Sequence, residues 1–145
     1  MVRAGHFACL WAGDSRIYLM RGGVMQQVTR DHSLTQELVD AGAITAEQAE
    51  HHPQANVITR AVGGGDEVLE LEKVSGTLEA GDRFLLCSDG LSKELDEATL
   101  AGLLATDEGE GPGEALVSTA VAHGARDNVT AVVVDVPDMS EAAPA

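Results

Sequence analysis

Hydrophobic positions near the start of the chain fall into short blocks at residues 7–12, 16–20 and 24–28, separated by Gly13-Asp14-Ser15 and by Gly22-Gly23. Short apolar runs broken by glycine-bearing turns predict strands, and their spacing predicts a meander. The period changes after Ser33. Residues 34–41 read as a helix, with Ser33 and Gln36 in capping-box spacing and Gly42 suited to a left-handed stop. Thr45 with Gln48 repeats the capping signal and predicts a second short helix to residue 51, ahead of Pro53. Residues 51–66, ending in Gly63-Gly64-Gly65-Asp66, read as an irregular excursion. Residues 68–74 alternate Val and Leu with Glu and Lys, the signature of a half-buried strand. Ala80-Gly81-Asp82 then turns the chain into Arg83-Phe84-Leu85-Leu86-Cys87, a buried strand. Helices are expected at 96–105 and 114–123, the second burying Leu116, Val117, Ala120 and Val121, with a loop at 107–113 between them. A last strand is expected at 130–134, followed by a frayed tail over 137–145.

The chemistry gathers where two of these strands end or begin. Asp89 follows the 83–87 run, with Gly90 beside it to let the chain turn, and Asp127 precedes the 130–134 run. If the two runs pair antiparallel, the end of one lies beside the start of the other, and the two aspartates become neighbours. Two carboxylates in one cleft repel unless one takes a proton or a hard cation sits between them. A Mg²⁺- or Mn²⁺-type site is the favoured resolution. The competing reading makes both aspartates turn residues, a common use of Asp beside Gly or Asn.

Composition narrows the partners. A chain of 145 residues predicts one domain, and 24 acidic against nine basic residues, a formal charge of -15, disfavour nucleic acid and anionic membrane surfaces. No apolar stretch has the length of a membrane span and the first residues lack an export pattern, so a cytoplasmic protein is expected. Cys9 and Cys87 lie in separate apolar runs and read as buried thiols. With four aromatic residues, the core is expected to be aliphatic. His32, His51 and His52 read as structural, Ser88 lacks the Gly-x-Ser-x-Gly elbow of a nucleophile, and Asp107, Glu108 and Glu110 lack the spacing of a calcium loop.

Gly13-Asp14-Ser15-Arg16, Asp31-His32-Ser33, His52-Pro53 with residues 56–61, Cys87-Ser88-Asp89-Gly90-Leu91 and Arg126-Asp127-Asn128 follow one another in a single order. In that order the chain resembles the metal-dependent protein serine/threonine phosphatases of the PPM, or type 2C, class, and particularly their compact bacterial members. The likeness runs from residue 7 to about residue 136. It implies an α+β fold, an antiparallel β-sandwich flanked by helices, with a metal centre in a cleft at one end. It implies that Asp89 and Asp127 hold the metal centre and that Asp14 helps hold a further ion. The cofactor would be Mn²⁺ or Mg²⁺ and the substrate a phosphoserine or phosphothreonine protein. Paired divalent ions acidify a bound water for in-line attack on phosphorus, and on a chain this acidic they also make the cleft attractive to a dianionic phosphomonoester. Residues 32–60 resemble the flap beside the family's active site, where Thr59 and Arg60 read as structural flap residues. Ser15 and Arg16 read as stabilising the turn and hairpin.

The family pattern also has an upstream half, carrying a phosphate-gripping arginine, an Asp-Gly-x-Gly-Gly loop whose aspartate bridges the metals, and a general-acid histidine. None has a match here, since thirteen residues precede Asp14 and Gly63-Gly64-Gly65-Asp66 has the letters in the wrong order and place. The resemblance therefore implies a C-terminal portion, residues 1–136, with weak or no activity alone. Exposed sheet edges would favour a homodimer or strand exchange. The alternative is a non-catalytic phosphatase-like module that binds a partner or self-associates.

Overall fold

The strand-forming blocks divide between two antiparallel sheets according to the faces they can bury. The computed structural model describes residues 1–65 and 68–138. One sheet has the order β1 (Val2–Arg3), β2 (His6–Trp11), β5 (Glu72–Thr77). The other has the order β4 (Val24–Gln27), β3 (Arg16–Arg21), β6 (Arg83–Cys87), β7 (Ala131–Asp135). In β2, Phe7, Cys9 and Trp11 are buried while His6 and Leu10 are exposed, the period of a strand with one covered face. β3 and β6 pack on both faces: Tyr18, Met20, Leu85 and Cys87 meet the helices, whereas Ile17, Leu19 and Phe84 meet the opposite sheet.

The expected meander holds only for β3 and β4, which form a hairpin with Arg21 opposite Val24 and Gly22-Gly23 at φ 58° and 78°. β2 pairs with β1 and β5 instead, and residues 12–15 arch from one sheet to the other. The arch is fastened to residue 32 rather than to β3. The Gly13 N–H donates to His32 Nδ1 at 3.0 Å, and the His32 N–H donates to the Gly13 carbonyl at 2.9 Å. β5 begins at Glu72 rather than residue 68, because its partner β2 ends there, with Trp11 opposite Glu72. β1 is too short for its pattern to show.

Helix capping follows the sequence closely. Ser33 caps α1 (Leu34–Asp40) by accepting the Gln36 N–H, although the Gln36 amide reaches on to Asp40 and leaves that capping box half made. Thr45 and Gln48 close a full box on α2 (Ala46–Glu50). A one-turn helix, α3 (Asp89–Ser92), follows β6 where a plain turn was expected. α4 (Glu97–Leu104) is capped by Asp96, and α5 (Pro112–Ala122) starts two residues before the expected 114 because Pro112 suits a first-turn position that needs no N–H donor. Most of the expected tail, from residue 139, lies outside the described residues.

Two hydrophobic layers result. Leu91, Leu95, Leu100, Leu104, Leu116 and Ala120 pack on Tyr18, Met20, Leu85 and Cys87. Each fully buried leucine is worth roughly 1.5–3 kcal/mol. Val121 is 62% exposed, so the stripe that α5 buries is narrower than expected. The layer between the sheets centres on an aromatic pair, Phe7 and Phe84, which meet edge to face at 5.1 Å among the aliphatic Ile17, Leu19, Val28, Leu78 and Val136. Gly76 makes room for that pair, since a Cβ there would fall 2.8 Å from the Phe7 ring. Both cysteines are buried and free, as expected, and burial pushes the Cys87 thiol up to about 11. The inter-sheet face continues past Phe84 through Leu86, Val132, Val134 and Val74, all partly exposed.

Candidate metal centre

β6 and β7 pair antiparallel with Cys87 opposite Ala131, so the end of one strand lies beside the start of the other, as the sequence predicts. Ser88 locks this end. Its N–H donates to the Thr130 carbonyl at 3.1 Å, and its hydroxyl accepts the Thr130 N–H at 3.0 Å while donating to the Asn128 carbonyl at 3.2 Å. The hydroxyl is thus committed to the backbone, consistent with a structural serine. Next to it, Gly90 is buried directly against the 127–128 backbone.

Asp14 sits on the arch between two fastenings. His32 holds Gly13, and Arg16 grips Asp31 through both carboxylate oxygens, at 2.9 and 2.8 Å, while also donating to the Tyr18 hydroxyl at 3.0 Å. Burial works against the Arg16 cation, but its bonds and attraction to Asp31 and Tyr18 outweigh that, so its pKa stays raised. Burial likewise raises the Tyr18 hydroxyl. Asp31, His32 and Ser33 therefore each have separate work: one clamps Arg16, one clamps Gly13, one caps α1.

Lys93, at the end of α3, brings the two acidic segments together. Its Nζ lies 3.2 Å from Asp89 Oδ2, 3.4 Å from Asp14 Oδ2 and 2.8 Å from Asn56 Oδ1. Asp14 and Asp89, on the arch and on α3, thus face one cation. Asp127 is exposed and its Oδ1 accepts its neighbour Asn128's N–H at 2.7 Å. Among the described residues, no three His, Cys, Asp or Glu side chains gather where one ion could hold them.

The chain is 44% identical over 126 residues to the serine/threonine protein phosphatase PstP of Mycobacterium tuberculosis, a match that covers 87% of the chain and 24% of PstP. It is 42% identical over 125 residues to the protein phosphatase PhpP of Streptococcus pneumoniae, covering 84% of the chain and 50% of PhpP. The fold superimposes on the crystal structure of the PstP catalytic domain in complex with two manganese ions, with a TM-score of 0.83, 37% identity, and coverage of 95% of this chain and 56% of that one. No family model matches. The chain belongs to the PPM family of protein serine/threonine phosphatases. It spans about half the length of PhpP and a quarter of that of PstP.

Within this PPM chain the donor set suits a hard divalent ion. Asp14, Asp89 and Asn56 present oxygens that already surround a cation, and Mg²⁺-type ions need only one or two carboxylates because they keep several waters. Thr59 and Arg60 lie against the arch. The Thr59 N–H donates to the His32 carbonyl at 2.9 Å, the Arg60 carbonyl packs on Gly13, and an Arg60 guanidinium nitrogen lies 4.0 Å from Glu72. His52 Nδ1 accepts the Gln54 N–H and His51 ends α2, both structural. His32 is structural too, buried and stacked on Trp11. No motif in the sequence marks Lys93, and Asn56 stands out there only as the start of the 56–61 motif. The i,i+4 spacing of Asp89 and Lys93 is visible in the sequence, but it brings the two side chains together only because residues 89–92 are helical.

Proposed function

We propose that the chain carries part of the metal-holding wall of a phosphoprotein phosphatase that acts on phosphoserine and phosphothreonine with Mn²⁺ or Mg²⁺. The observation that supports this most is the convergence of Asp14 and Asp89 on one cation from segments 75 residues apart in sequence. When bound, the divalent ions would acidify water and neutralise phosphate charge. Asp89 and Asp14 would supply hard ligands from two sides. Asp127 would contribute from the segment that Gly90 and Ser88 hold against α3, once its carboxylate leaves the Asn128 N–H. The His32 and Arg16 clamps would keep the arch from relaxing when the carboxylates lose their counter-ion. Residues 32–60 would form the flap, with Thr59 and Arg60 fixing its far end.

The test is Mn²⁺ calorimetry on this chain beside Asp89→Ala and Asp127→Ala. Heat that vanishes in Asp89→Ala and weakens in Asp127→Ala supports the reading; identical heat in all three overturns it. Hydrolysis of p-nitrophenyl phosphate by the chain alone is expected to be weak, since the bridging aspartate and phosphate-gripping arginine of the family have no match in it.

A second reading concerns partners. β5 and β7 each have one unpaired edge among the described residues, and the apolar strip of Leu86, Val132, Val134 and Val74 lies on the inter-sheet face beside them. This favours self-association or strand exchange through that face.

A further inference from the structure

The sequence has two lysines, Lys73 and Lys93, and one of them stands where the acidic side chains converge. An ordinary i,i+4 pair would explain a contact between Lys93 and Asp89 alone. Here the ammonium also reaches Asp14 on the arch and Asn56 on the flap segment, so its three N–H donors meet three acceptors from three separate parts of the chain. Asp14 and Asp89 are only 18% and 31% exposed, which weakens the water screening that would make a lysine here indifferent.

We propose that the Lys93 ammonium is a tethered competitor for the metal centre: it occupies the shared space between Asp14 and Asp89, and a divalent ion must displace it to bind both. This rests on the metal-centre reading above. The carboxylate oxygens that face the ammonium are the ones those side chains would offer to an ion, and an oxygen cannot serve both fully. Like charges a few ångströms apart also repel, so the ammonium swings away as the ion enters. Asn56, at 2.8 Å its nearest partner, holds the ammonium in place in the ion's absence. The consequence is a site whose affinity is set low by the chain itself, and which keeps its two carboxylates paired until metal arrives.

The test uses Mn²⁺ alone. Calorimetry should show Lys93→Met binding Mn²⁺ about tenfold more tightly than the natural chain, the scale expected for removing one positive charge beside a divalent ion in a partly screened site. Lys93 is exposed, so the variant should fold. Independently, brief labelling with an amine-reactive reagent, read by mass spectrometry, should show Lys93 becoming more reactive as Mn²⁺ is added while Lys73, on the exposed side of β5, stays constant. Mn²⁺ heat with equal or weaker affinity in Lys93→Met, or Lys93 labelling that ignores bound Mn²⁺, overturns the competitor role and leaves the metal centre standing. Absence of Mn²⁺ heat in both proteins removes the metal centre, and the competitor with it.

Discussion

A Cβ placed on Gly90 would overlap the carbonyl oxygen of Asn128 and fall 3.0 Å from its carbonyl carbon. Gly90 lies inside α3, so its value is not a left-handed backbone but the missing side chain, which lets α3 press directly on the Asp127-Asn128 backbone. Because main chain cannot swing aside as a side chain can, Gly90→Ala must separate the two segments. The variant should lose roughly 1–3 kcal/mol of stability, the usual cost of overpacking. Urea unfolding measures this, and a midpoint unchanged from the natural chain would show that the segments part easily.

His32 offers a second check on how the arch is held. Its ring is buried against Trp11 and its Nδ1 accepts the Gly13 N–H, which fixes the hydrogen of the neutral ring on Nε2. That nitrogen is buried with Glu72 Oε1 3.3 Å away but without hydrogen-bond alignment. The Gly13 contact is therefore the ring's chief polar bond. His32→Ala strands a buried N–H and should cost about 1–3 kcal/mol in urea unfolding. His32→Asn, whose side-chain oxygen can take the place of Nδ1, should recover part of the loss. Equal losses in the two variants would show that packing on Trp11, not the bond to Gly13, is what matters.

Much of this was legible in the sequence. Local signals with a steric or capping cause translated directly: Asp96 and Thr45 as caps, Gly22-Gly23 as a hairpin turn, and the antiparallel meeting of the strands before Asp89 and after Asp127. What failed was non-local. A short apolar block shows that residues 7–12 form a strand but not which sheet they join, and that is settled by pairing with β5, far along the chain. The start of β5 was set by where its partner ends. At the site, aspartates beside Gly and Asn stood out because turn chemistry marks them, whereas Lys93 and Asn56 look like surface residues until the fold brings three segments together.

Acid sensitivity should trace in part to Asp82. The carboxylate is 1% exposed and accepts two bonds from Arg21, at 2.8 and 2.7 Å, and the Glu79 N–H at 2.8 Å. The Arg21 bond leads in holding its pKa below the ordinary 3.8, against the opposing effect of burial. The unfolded chain then takes up this proton before the folded chain does. The stabilisation is complete above about pH 4, where the unfolded carboxyl ionises, and is lost as the pH falls through the lower folded value. Asp82→Asn should be less stable at neutral pH and should show a shallower decline below pH 4. Thermal melts across pH 2–7 decide it, and parallel acid limbs in both proteins would remove Asp82 from the account.

The sandwich leaves apolar side chains uncovered at one end. Leu86 lies opposite Val132, and Phe84 opposite Val134, so β6 and β7 present one continuous apolar strip toward the other sheet. Phe7 covers the Phe84 end, but Val132 remains 50% exposed and Val134 37%. Among the described residues β7 also has a free edge, and a strand that offers both unpaired backbone and an apolar face is a template for another strand. Self-association through this strand should appear in light scattering as a mass that rises with concentration across the micromolar range. Charge pointing inward from an edge strand opposes such pairing, so Val132→Lys with Val134→Lys should hold the chain at monomer mass while circular dichroism stays folded. A natural chain that is already monomeric across that range would show that the strip is too narrow to recruit a second copy.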